Sequence, residues 1–220
     1  GAPEGWLAIP RSAHVLDLEG GYDAVFKRFA TDVRQNIRRA ERNGVEVSTG
    51  NNEELIAEFH GLLRQSFDRW AKVQHEPSFL AQWRGNRRDP IGKFRTMAKA
   101  FGPGFRLWVA RYGGQPAAAI LVLRDREAHY TRGAMNKELA AKSNANHLLS
   151  ARAIEEARAA GCKSYHMGET APGSSLAMFK SRMGAVAHDY AEYQFERFPV
   201  YKVSAAVKGV VKRVIGFRDT

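Results

Sequence analysis

The chain has 220 residues, 44% of them hydrophobic, which is enough for a complete core and excludes wholesale disorder. Its single cysteine, Cys162, excludes a disulfide framework and a cysteine-rich metal site, and is typical of a reducing, cytoplasmic compartment. The net charge of +11 favours an anionic partner such as a nucleic acid, a nucleotide-linked substrate or an acidic membrane, although a generally arginine-rich surface explains it equally well.

The start of the chain carries little structural signal. It begins with Gly1 instead of Met, so we expect a longer parent protein that has lost an N-terminal part. No basic-then-apolar signal peptide is present, and no stretch approaches the roughly 18 consecutive apolar residues that span a membrane. Residues 1–21 contain Gly and Pro around a short apolar run at 15–18, which predicts a lead-in segment with one strand.

The first helix is predicted from Tyr22 onwards. Apolar residues recur there every three or four positions, which defines one buried stripe. Asn43-Gly44 is a suitable C-cap, because glycine readily adopts the left-handed conformation that ends a helix. The stripe consists of Phe26, Phe29, Val33, Ile37 and Ala40.

Two further helices follow a short strand. Residues 45–48 alternate in polarity and predict the strand. Asn52 is a good N-cap for a second helix, whose apolar face continues to Trp70. Asp89-Pro90 is typical of a helix start and predicts a third helix to about Ala100.

The period then changes to two, which predicts three strands of a meander at 105–111, 116–123 and 128–134. After a polar loop at 136–144, we predict a helix at 145–160, a strand at 162–167, a short helix at 172–183 and a strand at 186–195. A meander followed by a strand–helix–strand crossover predicts a mixed α/β (α+β) fold, with one mixed central sheet and helices on both faces.

The tail is predicted separately. Residues 201–217 are predicted to form a basic amphipathic helix, which either packs on the domain or lies on an anionic membrane surface. We therefore divide the chain into a lead-in segment at 1–21, one domain at 22–200 and a C-terminal helix at 201–220.

Three segments resemble one protein family. They are a basic helix at 34–45, the stretch Ser-Phe-Asp-Arg-Trp at 66–70, and the segment from Gly168 to Gly184 that contains Phe179-Lys180. Together they resemble the FemABX-like branch of the GNAT acyltransferases, whose members include peptidoglycan aminoacyltransferases, over roughly residues 22–200. Such proteins usually carry two tandem domains; this chain has room for one, similar to the second.

The resemblance implies a site between two strands that splay apart, here 128–134 and 162–168. Lys180 would stabilise the developing oxyanion or hold an acceptor phosphate, with Phe179 as a wall. Glu169 would act as a base through water, and Tyr130 or Tyr165 would protonate the leaving group. Gly168 and Ser175 would contact the substrate. The spacing alone favours an ordinary amphipathic helix with a solvated Lys180, and the resemblance reverses that preference.

The donor is less clearly indicated. The resemblance places its phosphates at the start of the helix near residue 145, where the candidates are Lys142, Ser143, Asn144 and Ala145. These residues lack the glycine-rich pattern of acetyl-CoA users, and helix capping alone explains Ser143 and Asn144 equally well.

Arginines supply further candidate contacts. Arg34, Arg38 and Arg42 are four residues apart and form one stripe, which suits phosphate contacts with a tRNA or a nucleotide-linked acceptor, or is simply a solvated face. Arg69 would meet a carboxylate or phosphate, or stack on Trp70. The histidines show no ligand spacing, so we predict no metal site.

These observations predict an N-acyltransferase that forms an amide on a peptide or nucleotide-linked amine. Aminoacyl-tRNA is slightly favoured over acyl-CoA as the donor, and no covalently bound cofactor is expected. One alternative is an acyl-CoA-dependent N-acetyltransferase acting on a small molecule or peptide. The other is a non-catalytic domain with this fold that binds nucleic acid or a membrane.

Overall fold

The computed structural model describes residues 6–195, which form seven strands and eight α-helices. In chain order the elements are β1 (Trp6–Asp17), α1 (Tyr22–Arg28), α2 (Thr31–Arg42), β2 (Glu46–Gly50), α3 (Glu53–Val73), α4 (Ser78–Arg88), α5 (Ile91–Phe101), β3 (Phe105–Tyr112), β4 (Gln115–Arg124), β5 (Ala128–Met135), α6 (Lys137–Ser143), α7 (Ala145–Ala159), β6 (Ser164–Glu169), α8 (Ser175–Arg182) and β7 (Val186–Phe195).

One sheet joins all seven strands in the order β2-β3-β4-β5-β6-β1-β7. Every neighbouring pair is antiparallel except β5 and β6, which are parallel. The strand predicted in the lead-in segment is β1, and it lies inside the sheet between β6 and β7. The predicted mixed fold is confirmed.

Helices cover both faces of this sheet. On one face, apolar residues of α1, α2 and α7 pack with those of β3 to β6, including Phe29, Leu149 and Tyr165. On the other face, α3 and α5 contribute a second buried cluster that includes Phe59 and Phe94. Because β3 and β4 are covered from both sides, their central residues read as long apolar runs, as expected for buried strands.

The structure differs from the predicted elements in three places. The helix predicted from Tyr22 is two helices, because Phe29 is extended (φ −62°, ψ 139°) and the Ala30 N–H donates to the Arg182 carbonyl at 2.8 Å. The predicted polar loop at 136–144 contains α6, which Asn136 caps. Helix α4 was not predicted, since it buries only Ala81 and Gly85 and therefore shows no apolar stripe.

Two predicted features concern membranes. None of the helices described between residues 6 and 195 is long and apolar enough to cross a membrane. The basic helix predicted at 201–217 lies outside the described residues.

Candidate active site

The site begins where β5 and β6 stop pairing. Only Ala128–Tyr165 and His129–His166 are in register between these two strands. Beyond them β5 continues to Met135 along β4, and β6 continues to Glu169 along β1. The strands therefore part, as predicted for 128–134 and 162–168, and a cavity of about 710 Å³ lies at the opening.

This cavity is lined from both faces of the sheet. Trp70 of α3 and Ala134 of β5 belong to one side, and Phe179 of α8 and Asn146 of α7 belong to the other. Gly133 leaves room for the Tyr130 side chain at this cavity, because a Cβ at this position would lie 1.9 Å from the Tyr130 hydroxyl. A ligand in the cavity therefore has access to groups above and below the sheet.

Lys180 is buried in the wall of this cavity, with only 3% of its surface exposed. Its ammonium donates to the carbonyls of Gly168 (2.9 Å) and Glu169 (3.1 Å) and to the Thr170 hydroxyl. Gly168 has φ +81°, a conformation that favours glycine, and it turns the end of β6 towards the lysine. Burial lowers the pKa of Lys180 to about 8, and the charge of Glu169 partly opposes this shift.

Thr170 extends the reach of Lys180 into the cavity. Its hydroxyl accepts from the ammonium and also lines the cavity. Because all three ammonium hydrogens of Lys180 have acceptors, the lysine acts on a ligand through its charge and through the polarised Thr170 hydroxyl, which keeps its own hydrogen to donate.

Arg69 and Tyr130 supply two further polar groups. The Arg69 guanidinium donates to the Met135 carbonyl at 2.8 Å and lies 5.7 Å from the Trp70 ring centroid; burial lowers its pKa. Burial raises the pKa of Tyr130 to about 12, and its hydroxyl makes no hydrogen bond within residues 6–195. Tyr165, by contrast, lies in the core and does not line the cavity.

The charge around the cavity is one-sided. Lys180 and Arg69 line it, whereas none of the described lining residues is Asp or Glu. Such a site attracts an anionic group and offers no carboxylate as a general base. Among the residues that the structure describes, no group of three potential ligands is arranged to hold a metal ion.

Three other predicted residues lie on or near the cavity, with different surroundings. Ser175 and Phe179 line it, and the Phe179 ring packs edge-on against His147, with 5.4 Å between ring centroids. Glu169 does not line it. Its carboxylate accepts from the Tyr190 hydroxyl at 2.5 Å and forms an ion pair with Arg11 at 3.7 Å, on the exposed side of β1 and β7.

The predicted donor residues surround the junction of α6 and α7. Ser143 and Ala145 are fully buried, and the Ser143 hydroxyl donates to the Leu139 carbonyl at 2.6 Å. Asn144 is the single left-handed residue between the two helices, and the Lys142 ammonium lies 6.0 Å from the centroid of the Tyr112 ring. None of the four lines the cavity.

The predicted arginine stripe is divided in the structure. Arg34 folds back and donates to the Lys27 carbonyl (3.0 Å), the Phe29 carbonyl and the Thr31 hydroxyl (3.2 Å). It therefore holds the junction of α1 and α2, whereas Arg38 is exposed to solvent.

Several lining residues were missed at the level of sequence. They are Thr170, Trp70, Asn146 and Ser150, and the last two are one turn apart on α7. Thr170 and Trp70 lie within the two segments that carry the family resemblance, next to Glu169 and Arg69, so that resemblance could have indicated them. Asn146 and Ser150 had none, because their side chains reach the cavity only once α7 packs across the sheet.

Known proteins with similar sequences or structures support the same fold. The model of a family described as "Acetyltransferase (GNAT) domain" matches residues 27–180. No curated protein sequence matches the chain significantly.

Solved structures share the fold at low sequence identity. FemX has a TM-score of 0.57 and 13% identity, covering 92% of this chain and 66% of its own. L-PGS from Bacillus licheniformis has a TM-score of 0.54 and 16% identity, covering 96% and 68%. The C-terminal domain assigned to a lysylphosphatidylglycerol synthetase from Agrobacterium fabrum has a TM-score of 0.53 and 16% identity, covering 85% and 61%. The chain thus spans between 61% and 68% of these solved chains.

Proposed function

The chain belongs to the GNAT acetyltransferase-domain family, and on this premise we propose that it forms an amide by moving an aminoacyl group from a charged tRNA to an amine. The observation that carries this proposal is the cavity at the opening between β5 and β6, with buried Lys180 in its wall and groups from both faces of the sheet around it. A donor and an acceptor that enter the cavity from opposite faces of the sheet would meet beside Lys180.

In this reaction the amine nitrogen attacks the carbonyl carbon of the aminoacyl ester. The carbonyl oxygen gains negative charge, which the field of Lys180 and the hydrogen of the Thr170 hydroxyl stabilise. The new C–N bond then forms fully as the ester C–O bond breaks. The departing ribose oxygen takes its proton from the Tyr130 hydroxyl, and the Tyr130 oxygen in turn accepts the proton that the attacking amine releases, so the tyrosine ends the reaction protonated as it began.

An acceptor or donor phosphate would be attracted to the cationic side of the cavity, where Arg69 lies. Peptide amines and nucleotide-linked amines, such as peptidoglycan precursors, fit this description. Arg38, exposed on α2, remains a proposed phosphate contact outside the cavity. Charged tRNA is a cytoplasmic substrate, so this donor would make the enzyme a cytoplasmic one.

The start of α7 favours tRNA over an acyl-CoA. A CoA diphosphate needs several free N–H groups at a helix start. Here the Ala145 N–H donates to the Ser143 hydroxyl (3.3 Å) and the His147 N–H donates to the Asn144 carbonyl (3.0 Å). The names of the structural relatives support an aminoacyl cargo as well, since lysylphosphatidylglycerol denotes a lysyl group on a lipid.

The second candidate is an acyl-CoA-dependent N-acetyltransferase, which the description of the matching family favours. Both candidates use the same cavity and the same Lys180, so they differ only in the donor. Activity assays with defined donors therefore separate them.

The test offers the purified 220-residue chain two donors in parallel, with a panel of peptides and nucleotide-linked amines as acceptors. We expect the acceptor-dependent loss of aminoacyl ester from charged tRNA and no thiol release from acyl-CoA. Thiol release without ester consumption would overturn the tRNA donor in favour of acyl-CoA. Consumption of neither donor would favour the non-catalytic binding domain.

A further inference from the structure

The last pair of residues in register between β5 and β6 consists of two histidines. The rings of His129 and His166 stack there, with 5.2 Å between their centroids and 26° between their planes. Beyond this pair the strands part and the active-site cavity begins. Met167, the next residue of β6, lines the cavity, so alternation along the strand directs the His166 ring to the other face of the sheet. The two histidines therefore mark the point where the sheet opens, outside the cavity itself.

His166 contacts the turn at the end of β6. Its Nδ1 accepts a hydrogen bond from the Gly168 N–H at 3.1 Å, and the Gly168 carbonyl accepts one from the Lys180 ammonium at 2.9 Å. Gly168 has φ +81°, but glycine adopts positive and negative φ about equally readily, so its partners must hold this conformation. One turn thus connects the His166 ring with the buried lysine.

The hydrogen bond from Gly168 requires a neutral His166. A backbone N–H can only donate, so Nδ1 carries a lone pair and the neutral ring has its hydrogen on Nε2. A doubly protonated ring has a hydrogen on each nitrogen and accepts nothing. Protonation of His166 therefore removes the hydrogen bond on the N–H side of Gly168.

The surroundings of His166 disfavour its protonation. The charged groups that act on it are His129, Lys180, Glu127 and Glu169. Burial, and then the charges of His129 and Lys180, lower the pKa of His166, whereas the two glutamates partly oppose this shift. On β1 its partner in register is the apolar Val15. The ring is therefore neutral at pH 7 and able to accept from Gly168.

We propose that His166 is a positioning residue for acyl transfer: its neutral ring holds the Gly168 turn, and thereby the acceptors of Lys180, in the active geometry. The part in acyl transfer rests on the proposed function, whereas the link between His166 and Gly168 does not. The three acceptors of the ammonium all lie on the segment that directly follows Met167; they are the carbonyls of Gly168 and Glu169 and the hydroxyl of Thr170. Release of the turn therefore displaces the hydroxyl through which the lysine acts on a ligand.

Three variants of the full chain separate the hydrogen-bond acceptor from the titrating ring. His166→Asn supplies an amide oxygen that can accept from the same N–H, as in an Asx turn, but does not titrate. His166→Phe keeps a flat ring beside His129 and has no acceptor. His188→Asn makes the same change at an exposed histidine of β7 and is the control. Circular dichroism and urea unfolding show whether each variant is folded.

Activity is measured as kcat/KM from about pH 5 to pH 8, and each value is divided by that of the wild type at the same pH. This ratio cancels the ionisation of the acceptor amine, which is common to all the enzymes. Near pH 7 we expect His166→Phe to be about tenfold slower than the wild type, and His166→Asn to stay within about threefold of it. Towards about pH 5 the ratio for His166→Asn should rise more than twofold, since only the wild type loses its acceptor, while the ratio for His188→Asn stays flat.

Two kinetic results would overturn the inference. One is a folded His166→Phe enzyme with the activity of the wild type. The other is a flat ratio for His166→Asn, because an acidic decline would then belong to another group, such as His14, whose pKa is lowered by burial and by the charge of Lys180. If His166→Phe does not fold, the ratio for His166→Asn decides alone.

A measurement without any donor separates this inference from the proposed function. In ¹H–¹⁵N spectra of the full chain, the Gly168 amide should titrate with the midpoint of the His166 ring, and it should not titrate in this way in His166→Asn. If the two titrate together but the wild type consumes neither donor, the proposed function fails and the link between His166 and Gly168 stands. If the wild type consumes the aminoacyl ester but the Gly168 amide does not follow the ring, the inference is wrong and the proposed function stands.

Discussion

The two edges of β5 differ in how they are paired. Towards β4 the strand is in register at seven positions, from Ala128–Arg124 to Met135–Ala118. Towards β6 it is in register at two. The proposed chemistry takes place at the edge that faces β6, so the site lies where the hydrogen-bonded pairing of β5 and β6 ends.

The open edge costs little backbone hydrogen bonding, because each strand keeps its other neighbour. β5 continues along β4, and β6 continues along β1 as far as Ala13–Glu169. The carbonyls of Gly168 and Glu169, at the end of β6, are satisfied by Lys180 instead of by a strand. One buried lysine thus replaces part of a ladder and places a positive charge in the opening.

The largest expected effect comes from removing that lysine. Lys180→Met keeps most of the side-chain volume but deletes the charge that polarises Thr170. We expect kcat/KM for acyl transfer to fall about 10²- to 10³-fold, as when a donor to a developing oxyanion is lost. Steady-state kinetics with the donor identified above provide the measurement.

Lys99→Met, on the exposed side of α5, is the matched control and should keep its activity. Thermal unfolding and near-ultraviolet circular dichroism show whether Lys180→Met is folded, since it leaves two carbonyls and a hydroxyl without their donor. A folded Lys180→Met enzyme with wild-type kcat/KM would mean that the lysine only fastens the end of β6.

The second prediction concerns pH. With a pKa of about 8, Lys180 loses its proton above that value, and its charge disappears from the cavity. We expect kcat/KM to fall about tenfold from pH 7 to pH 9, which a pH–rate profile measures. In Lys180→Arg the guanidinium stays charged, so the residual activity should show no such decline. A wild-type profile that is flat across this range would contradict a catalytic ammonium.

Stability should change in the opposite direction over the same range. The folded-state pKa of about 8 lies below the 10.5 of an unfolded lysine, so between these values the unfolded chain holds a proton that the folded chain has released. The free energy of unfolding therefore rises with pH, by at most about 1.4 kcal/mol per pH unit. Urea unfolding at several pH values should show this slope in the wild type, and less of it in Lys180→Met.

The closed part of the sheet was largely predictable from sequence. The strands predicted at 105–111, 116–123 and 128–134 are present; the first two contain apolar central runs, and turn residues bound all three. The opening was predictable only through the family resemblance, since no periodicity shows where β5 and β6 stop pairing. Helix α4 was not predicted because it buries only Ala81 and Gly85, so its sequence shows no apolar stripe.

Side-chain roles were the least predictable part. The spacing of Arg34 in the arginine stripe is the spacing expected of a phosphate-binding residue. In the structure, however, its guanidinium donates to three acceptors at the break between α1 and α2. Glu169 follows Gly168 directly, yet alternation along the strand turns it towards Arg11 and Tyr190. Both outcomes depend on which elements meet in space, which single-sequence spacing does not contain.

The smallest expected effect compares two tyrosines at the boundary between the paired and the open edge. Tyr165 is at a paired position of β6, fully buried, and its hydroxyl has no partner in the described structure. Tyr130 follows the last paired residue of β5 and lines the cavity. The proposed reaction uses the Tyr130 hydroxyl as a proton donor, so Tyr130→Phe should lower kcat about tenfold.

Tyr165→Phe should leave kcat unchanged and leave stability equal or slightly raised, because an unpaired buried hydroxyl is costly to keep. Tyr130→Phe should change the unfolding free energy by less than about 0.5 kcal/mol, since the lost hydroxyl has no hydrogen bond to the described chain. The two variants should therefore differ in kcat, while urea unfolding checks that both keep nearly the stability of the wild type. If kcat falls equally in both variants, or in Tyr165→Phe alone, Tyr130 is not the proton donor. The catalytic residues then do not begin where the pairing between β5 and β6 ends.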